Sequence, residues 1–261
     1  MPFIAFDVET TGFHSHTCDI IEIGAVKFDA AGNILDKFAS FVNIGYELPD
    51  NIKELTNISD SMLRSQGKSS FDAMAGFLMF ILPETNEENI LLAHNARFDA
   101  AFITAAFRKE KLTVPSLPVC DTLAISKYCA GTVENHKLGT LVKAIGESAE
   151  GAHRADEDAD FVRKIFMHYT EKQGAEKVRN CYRPMDLKTF EKDIRDSFPL
   201  SFLPIVQKQG KLLMNNIGQD LIFEEYDPLY IYVSAKKQEH FLFRSDHKLY
   251  APLCEKVSRI P

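Results

Sequence analysis

The chain has 261 residues, of which 45% are hydrophobic and 26% charged, so it contains enough apolar material for a substantial core. Its formal net charge of −7 excludes a strongly basic protein that wraps nucleic acid, although a local basic patch or a bound cation still allows such contact. The five cysteines form no C-x-x-C pair, which argues against a cysteine-rich zinc module. No apolar run is long enough for a membrane span, and we therefore expect a cytoplasmic globular protein.

The N-terminal part predicts an antiparallel meander followed by alternating helices and strands. Apolar segments at 3–8, 20–28 and 34–42 predict three strands, and Ala31-Gly32-Asn33 predicts a hairpin turn between the last two. The elements predicted after the meander are a helix at 60–82, a strand at 90–93, a helix at 95–109, a strand edge at 119–122, and helices at 121–129, 138–145 and 155–171. This order indicates a mixed α/β domain.

The character of the chain changes near Gly174. Residues 1–172 carry 16 bases and 25 acids, whereas residues 173–261 carry 14 bases and 12 acids. We therefore predict an α/β domain over 1–174 and a small α+β domain over 175–261. In the second domain a helix is expected at 186–197, and short apolar runs then predict a β-rich fold, namely 212–214, 221–223, 229–233 and 241–243.

Asp7 and Glu9 stand two residues apart at the end of the first predicted strand. Because side chains alternate along a strand, both point to the same side as Phe3 and Ala5. Two acids at the end of a strand that is apolar on both faces are costly to bury without a cation or a hydrogen-bond partner. The alternative is that both leave the core at the strand end and are solvated.

Two further acids fall on the apolar faces of predicted helices. Asp99 is aligned with the apolar stripe of the helix that starts near residue 95, and Asp158 with that of the helix that starts near residue 155. His153 precedes the second helix in a turn, from which it can reach back over the helix N-terminus. The alternatives are charge–dipole compensation for Asp99 and an ordinary surface position for His153.

Together these segments supply four inward carboxylates and one histidine. Hard divalent cations such as Mg²⁺ or Mn²⁺ take oxygen ligands. Two such ions about 3.5–4 Å apart activate water and stabilise the leaving oxygen in phosphodiester cleavage. A neutral histidine nearby can accept the proton of the water, since its ordinary pKa of about 6.5 is close to working pH. The constellation therefore predicts metal-assisted phosphodiester hydrolysis.

The same residues resemble the three exonuclease motifs of the DEDDh 3′-to-5′ exonucleases. The matching segments are Asp7-Val8-Glu9-Thr10-Thr11-Gly12, His94-Asn95-Ala96-Arg97-Phe98-Asp99 and His153-x-Ala155-x-x-Asp158. The resemblance covers about residues 1–172. The family includes the proofreading epsilon subunit and the exonuclease domain of bacterial replicative polymerases. It implies an α/β, RNase H-like fold with a mixed five-stranded sheet flanked by helices.

Transferred residue by residue, the resemblance implies that Asp7, Glu9 and Asp158 hold one Mg²⁺ or Mn²⁺ ion and that Asp7 and Asp99 hold a second. It implies that His153 is the general base. It also implies contacts with the 3′-terminal nucleotide, and the substrate-binding residues would be Thr10, Thr11, Phe13, Asn95 and Phe98. For Phe98, simple core packing is an equal alternative.

We expect hydrolysis of single-stranded nucleic-acid 3′ ends to nucleoside 5′-monophosphates, with DNA favoured over RNA. The alternatives are an exoribonuclease of the same fold and a non-catalytic binding module that acts through residues 175–261. Aromatic and basic residues interleave in 175–261, which is typical of a single-strand stacking surface and also of the core of a small β domain. Docking of a polymerase or another protein partner there is equally open.

Overall fold

The computed structural model describes residues 2–15, 17–83, 89–148, 153–181, 184–191, 221–227, 230–235 and 240–244, of which 179–181, 191 and the last three segments are described by backbone alone. The chain divides into two compact units, Met1–Glu191 and Lys192–Pro261. The first unit extends past the boundary predicted at 174. Val178 and Leu187 are buried in its core, which explains why the segment after 174 belongs to it.

A mixed six-stranded sheet organises the described part of the first unit, in the order β3-β2-β1-β4-β5-β6. The strands are β1 (Phe3–Thr10), β2 (Ile20–Phe28), β3 (Ile34–Phe41), β4 (Ile90–Ala93), β5 (Pro118–Asp121) and β6 (Met185–Asp186). The first three strands pair as an antiparallel meander, as predicted. Strands β1, β4 and β5 are parallel to one another, and β6 is antiparallel to β5. The expected count of five strands omits β6, because a two-residue strand has no periodic signal in the sequence.

Helices cover both faces of this sheet. In the described residues they are α1 (Asp50–Thr56), α2 (Asp60–Gln66), α3 (Ser70–Ile81), α4 (Arg97–Lys109), α5 (Thr122–Cys129), α6 (Leu138–Ala144), α7 (Ala155–Gln173) and α8 (Ala175–Cys181). The single helix predicted at 60–82 is two helices. The first ends at Gly67, whose N–H donates to the Leu63 carbonyl, and the Ser69 hydroxyl caps the second by accepting the N–H of Asp72.

The helix predicted at 186–197 is wrong over its described part. Strand β6 occupies Met185–Asp186, and a 3₁₀ helix follows at Leu187–Glu191. The Asp186 side chain accepts the N–H of Lys188, and the Leu187 N–H donates to the Leu117 carbonyl. These contacts tie the segment to the sheet and replace the longer helix. Residues 192–197 lie outside the described residues.

Two of the apolar clusters in the described residues lie on opposite faces of the sheet. They show toward which face each residue of β1 points. Ile4, Phe6 and Val8 pack into the core that contains α3 and α4, whereas Ala5 packs into the core that contains α5 and α7. Asp7 and Glu9 alternate in phase with Ala5 and therefore point toward the α7 side. The strand thus delivers both carboxylates to the place where α7 begins.

The second unit contains a three-stranded antiparallel sheet in its described part. Its strands are β7 (Leu221–Asp227), β8 (Tyr230–Ala235) and β9 (His240–Arg244), in that order across the sheet. They confirm the β-rich character predicted from the apolar runs. The run at 212–214 and the basic residues Lys236, Lys237 and Lys248 lie outside the described residues. In the part of the chain that the structure describes, no helix has the length and apolarity needed to cross a membrane.

Candidate active site

Asp7 and Glu9 lie near the end of β1 in the middle of the sheet, between β2 and β4. Asp7 is paired with Gly24 of β2, and Glu9 is paired with Glu22. Both acids are partly buried. The two carboxylates therefore lie near the C-terminal end of a central strand, and pairing with β2 fixes their backbone.

Asp99 reaches the same place from the first turn of α4. Its side chain is only 2% exposed, and Oδ1 accepts the backbone N–H of Val8 at 3.3 Å. This hydrogen bond joins the second sequence motif to the first. The predicted inward position of Asp99 is confirmed, because Phe102 and Ile103 of the same helix are buried in the adjoining core.

Asp158 and His153 come from the start of α7. Asp158 is buried, and its Oδ2 accepts the backbone N–H of His153 at 3.2 Å. His153 is exposed and has a positive φ of 72°, which turns the chain sharply before the helix. One ligand atom from each of Glu9, His153 and Asp158 lies within 4.8 Å of the others, so these three residues can hold a metal ion.

Burial is the largest cause of a raised pKa at each of the four acids, and the charges of neighbouring acids add to it. Burial, followed by the charge of Asp99 and then of Asp158, raises the pKa of Asp7 well above its ordinary value. Burial is also the largest cause at Asp99, whose pKa lies well above its ordinary value. Burial and then the charge of Asp158 raise the pKa of Glu9 to about 8. Burial raises the pKa of Asp158 to about 6.

This donor set fits a hard divalent cation. Carboxylate oxygens are the ligands that Mg²⁺ and Mn²⁺ prefer. Buried carboxylates that repel one another are stabilised when a cation neutralises them. The residues present therefore have the chemistry that a magnesium or manganese site requires.

Thr10 and Thr11, which were predicted to bind substrate, are engaged in the turn that follows β1. The Thr10 hydroxyl donates to the Gly12 carbonyl at 2.6 Å, and Thr11 Oγ1 accepts the N–H of Asp19 at 3.0 Å. Phe13 lies in the same turn and is 83% exposed. The turn thus holds a large apolar side chain in solvent beyond the acidic end of β1.

Asn95 and Phe98 flank the acidic end of α4 differently. Asn95 is exposed with a positive φ of 62°, and its N–H donates to Asp121 Oδ1 at 2.9 Å. Phe98 is partly buried, and its ring centroid lies 4.9 Å from that of Phe102. Phe98 thus has the core packing that the sequence allowed, while part of its ring remains accessible.

Three residues near this site were missed by the sequence reasoning. Glu22 of β2 is 2% exposed and is paired with Arg154, which precedes α7. Gly24 lies against the backbone of Ala155, where a Cβ would overlap the helix. The available signal was a single acid within the otherwise apolar strand 20–26, because a buried acid requires a partner.

Comparison with known proteins agrees with this geometry. The family RNase_T, described as "Exonuclease", matches residues 4–166. The PolC-type DNA polymerase III of Clostridium perfringens is 32% identical over 203 residues, which cover 78% of this chain and 13% of that protein. That of Halalkalibacterium halodurans is 38% identical over 158 residues, which cover 60% of this chain and 10% of that protein. The chain therefore spans only a small part of the length of these relatives.

Solved structures show the same fold. Escherichia coli exonuclease I in complex with a dT13 oligonucleotide has a TM-score of 0.60 at 19% identity, covering 69% of this chain and 42% of that one. A 3′-exonuclease that recognises the histone mRNA stem-loop has a TM-score of 0.58 at 17% identity, covering 67% of this chain and 83% of that one. With the family match over residues 4–166, these findings confirm the RNase H-like fold expected from the motifs, and the chain belongs to the exonuclease family.

Proposed function

We propose that this chain is a divalent-metal-dependent 3′-to-5′ exonuclease that acts on single-stranded ends and releases nucleoside 5′-monophosphates. The observation that carries the proposal is the convergence of two partly buried carboxylates from β1 with buried ones from α4 and α7, beside an exposed histidine. Each element supplies its acid from the predicted motif.

In the proposed mechanism, Asp7, Glu9 and Asp158 would hold one Mg²⁺ or Mn²⁺ ion, and Asp7 and Asp99 would hold a second. When bound, the two ions supply activation of the water and stabilisation of the leaving 3′ oxygen. The exposed His153 accepts the proton of the water as its oxygen attacks phosphorus. The hydrogen bond from its own N–H to Asp158 keeps the turn that carries the imidazole beside this acid.

The residues around the terminal nucleotide are part of the same proposal. Exposed Phe13 and the accessible part of Phe98 offer apolar surfaces to the terminal base and sugar. Thr10 and Thr11 shape the turn that carries Phe13. Asn95 lies in the turn before α4, the helix that carries Phe98. We assign these five residues to substrate binding.

DNA is the substrate that we favour, because the relatives at 32% and 38% identity are DNA polymerases. An exoribonuclease is the second candidate, because one structural neighbour is a 3′-exonuclease that recognises the end of an mRNA stem-loop. We further propose a cytoplasmic location and a role for residues 175–261 in docking a polymerase or another protein.

Digestion of 5′-labelled oligonucleotides tests this proposal. The full chain is incubated with single- and double-stranded DNA and RNA in Mg²⁺, Mn²⁺ or EDTA. We expect a ladder that shortens from the 3′ end, mononucleotide 5′-phosphate products and no cleavage in EDTA. The Asp7→Asn protein is the matched control, since it removes one charge with little change of shape. Equal cleavage by wild type and Asp7→Asn, or cleavage that persists in EDTA, would contradict the proposal.

A further inference from the structure

A side chain of strand β2 hydrogen-bonds to the first residue of helix α7. Glu22 of β2 accepts the N–H of Ala155, the first residue of the helix, at 3.1 Å. It also accepts three contacts from the guanidinium of Arg154 at 2.7, 3.1 and 3.2 Å. Arg154 occupies the N-cap position and makes no capping hydrogen bond with its side chain. Glu22 therefore accepts, from β2, one of the first N–H groups of α7 that have no partner within the helix.

The strand register places this anchor directly beside the carboxylates of β1. Glu22 is the antiparallel partner of Glu9, and Gly24 is the partner of Asp7. A Cβ at Gly24 would overlap the backbone of Ala155, so the start of the helix rests on the bare backbone of β2. The first turn of α7 is thus held at a position defined by the same two residue pairs that carry Asp7 and Glu9.

The contacts of Glu22 and Arg154 restrict the orientation of both side chains. Glu22 is 2% exposed, and the two-pronged contact with a guanidinium fixes orientation as well as distance. The guanidinium carbon of Arg154 also lies 5.2 Å from the ring centroid of Phe41, which restricts the arginine from its other side. The charges of Glu22 and Arg154 act in opposite directions on the pKa of Glu9, so they offset each other in part there. The hydrogen bonds of the pair fix the position of the helix start.

We propose that Glu22 and Arg154, together with the close approach at Gly24, are positioning residues that set the distance between the acids of β1 and the Asp158–His153 end of α7. The catalytic consequence rests on the proposed function. The geometric consequence is that the site loses its alignment when either member of the pair is changed, although neither residue belongs to the assigned metal ligands.

The test compares Glu22→Gln with Arg154→Gln. Mn²⁺ affinity is measured by calorimetry without substrate, and kcat and KM are measured on a single-stranded oligonucleotide. Partners that orient metal ligands from outside typically contribute about 10–100-fold to affinity or activity, so we expect both variants to lose about tenfold in Mn²⁺ affinity and in kcat with little change in KM. A purely electrostatic role predicts opposite signs, because one variant removes a negative charge and the other a positive charge. Opposite signs, or unchanged affinity and kcat in both variants, would overturn the proposal.

Two further variants separate positioning from general destabilisation. Arg163→Gln is the matched control: Arg163 lies on the same helix and ties it to the β2–β3 turn through the Gly32 carbonyl at 3.0 Å, so it should leave Mn²⁺ affinity and kcat unchanged. The double variant Glu22→Gln/Arg154→Gln leaves no buried charge unpaired and serves if a single variant fails to fold. It should lose about as much Mn²⁺ affinity and kcat as one single variant, and not the sum of the two losses, because the pair acts as a unit. Full wild-type affinity and kcat in a folded double variant would refute the positioning role.

The same measurements distinguish a failure of the proposed function from a failure of the positioning role. A wild-type chain that neither binds Mn²⁺ nor cleaves any oligonucleotide refutes the proposed function. A wild-type chain that does both, with the Glu22 and Arg154 variants unaffected, refutes the positioning role alone.

Discussion

Replacing Glu9 with Gln should stabilise the metal-free protein at alkaline pH. Burial and the nearby charge of Asp158 raise the pKa of Glu9 from 4.5 to about 8. The folded state therefore binds a proton more tightly than the unfolded state. The stability that this proton contributes is fully present below about pH 4.5 and is lost as the pH rises through about 8. Above that value, ionised Glu9 opposes folding.

The magnitude follows from the shift. One pKa unit corresponds to about 1.4 kcal/mol, so a rise from 4.5 to about 8 sets an upper bound of about 5 kcal/mol on the penalty. Because Glu9 is only partly buried and shares its charge interactions with Asp158, we expect about 2 kcal/mol to be recovered in Glu9→Gln. For a protein of this size, that corresponds to a Tm increase of about 4–8 °C.

The assay is thermal unfolding of wild type and Glu9→Gln in a chelator from pH 5 to 9. The difference between the two proteins cancels the titration of the acids that they share. We expect the variant to be the more stable at pH 8.5, with an advantage that shrinks as the pH falls to 5. Excess Mn²⁺ should raise the wild-type Tm more than that of the variant. A variant that is no more stable than wild type at pH 8.5 would refute the idea that burial and the charge of Asp158 make ionised Glu9 unfavourable in the folded protein.

Three other changes test separate parts of the account. His153→Gln should lower kcat by about 10²–10⁴-fold, the usual range for general acid–base catalysis, and calorimetry should show Mn²⁺ affinity largely kept; a strong loss of affinity would make His153 a ligand instead. Gly24→Ala should cost about 1–3 kcal/mol in chemical denaturation, because the new methyl group has no space beside Ala155; unchanged stability would contradict the close approach. A protein of residues 1–191 should cleave short single strands, whereas one of residues 1–174 should melt at lower temperature, since it lacks two buried core residues; equal melting would place the boundary at 174.

Much of the fold was accessible from the sequence because its signals are local. The strands of the meander are apolar segments, and α7 has apolar residues at helical spacing; the structure places these elements at the predicted segments. The break between α2 and α3 depends on Gly67 as a C-cap, and the apolar residues on its two sides gave no sign of it. Strand β6 forms because Met185 pairs with Val119, a contact across the sheet that periodicity does not report.

In the candidate site, too, local sequence patterns predict some features, whereas contacts between distant residues determine others. The inward positions of Asp99 and Asp158 follow from helical spacing, and the structure buries both side chains. The bond between Asp99 and the Val8 N–H joins residues that are 91 positions apart, so only the folded chain shows it. Glu22 was missed for a related reason. The single acid in an apolar strand indicates that a partner is needed, but the partner, Arg154, comes from a helix start 132 positions away.

Anomalous diffraction from crystals soaked in Mn²⁺ shows whether acids from three separated segments form one metal centre. We expect manganese peaks within coordination distance of Asp7, Glu9 and Asp158 and of Asp7 and Asp99, with loss of both peaks in Asp7→Asn crystals. Manganese peaks elsewhere, or a site near these acids that survives the Asp7→Asn change intact, would contradict this expectation.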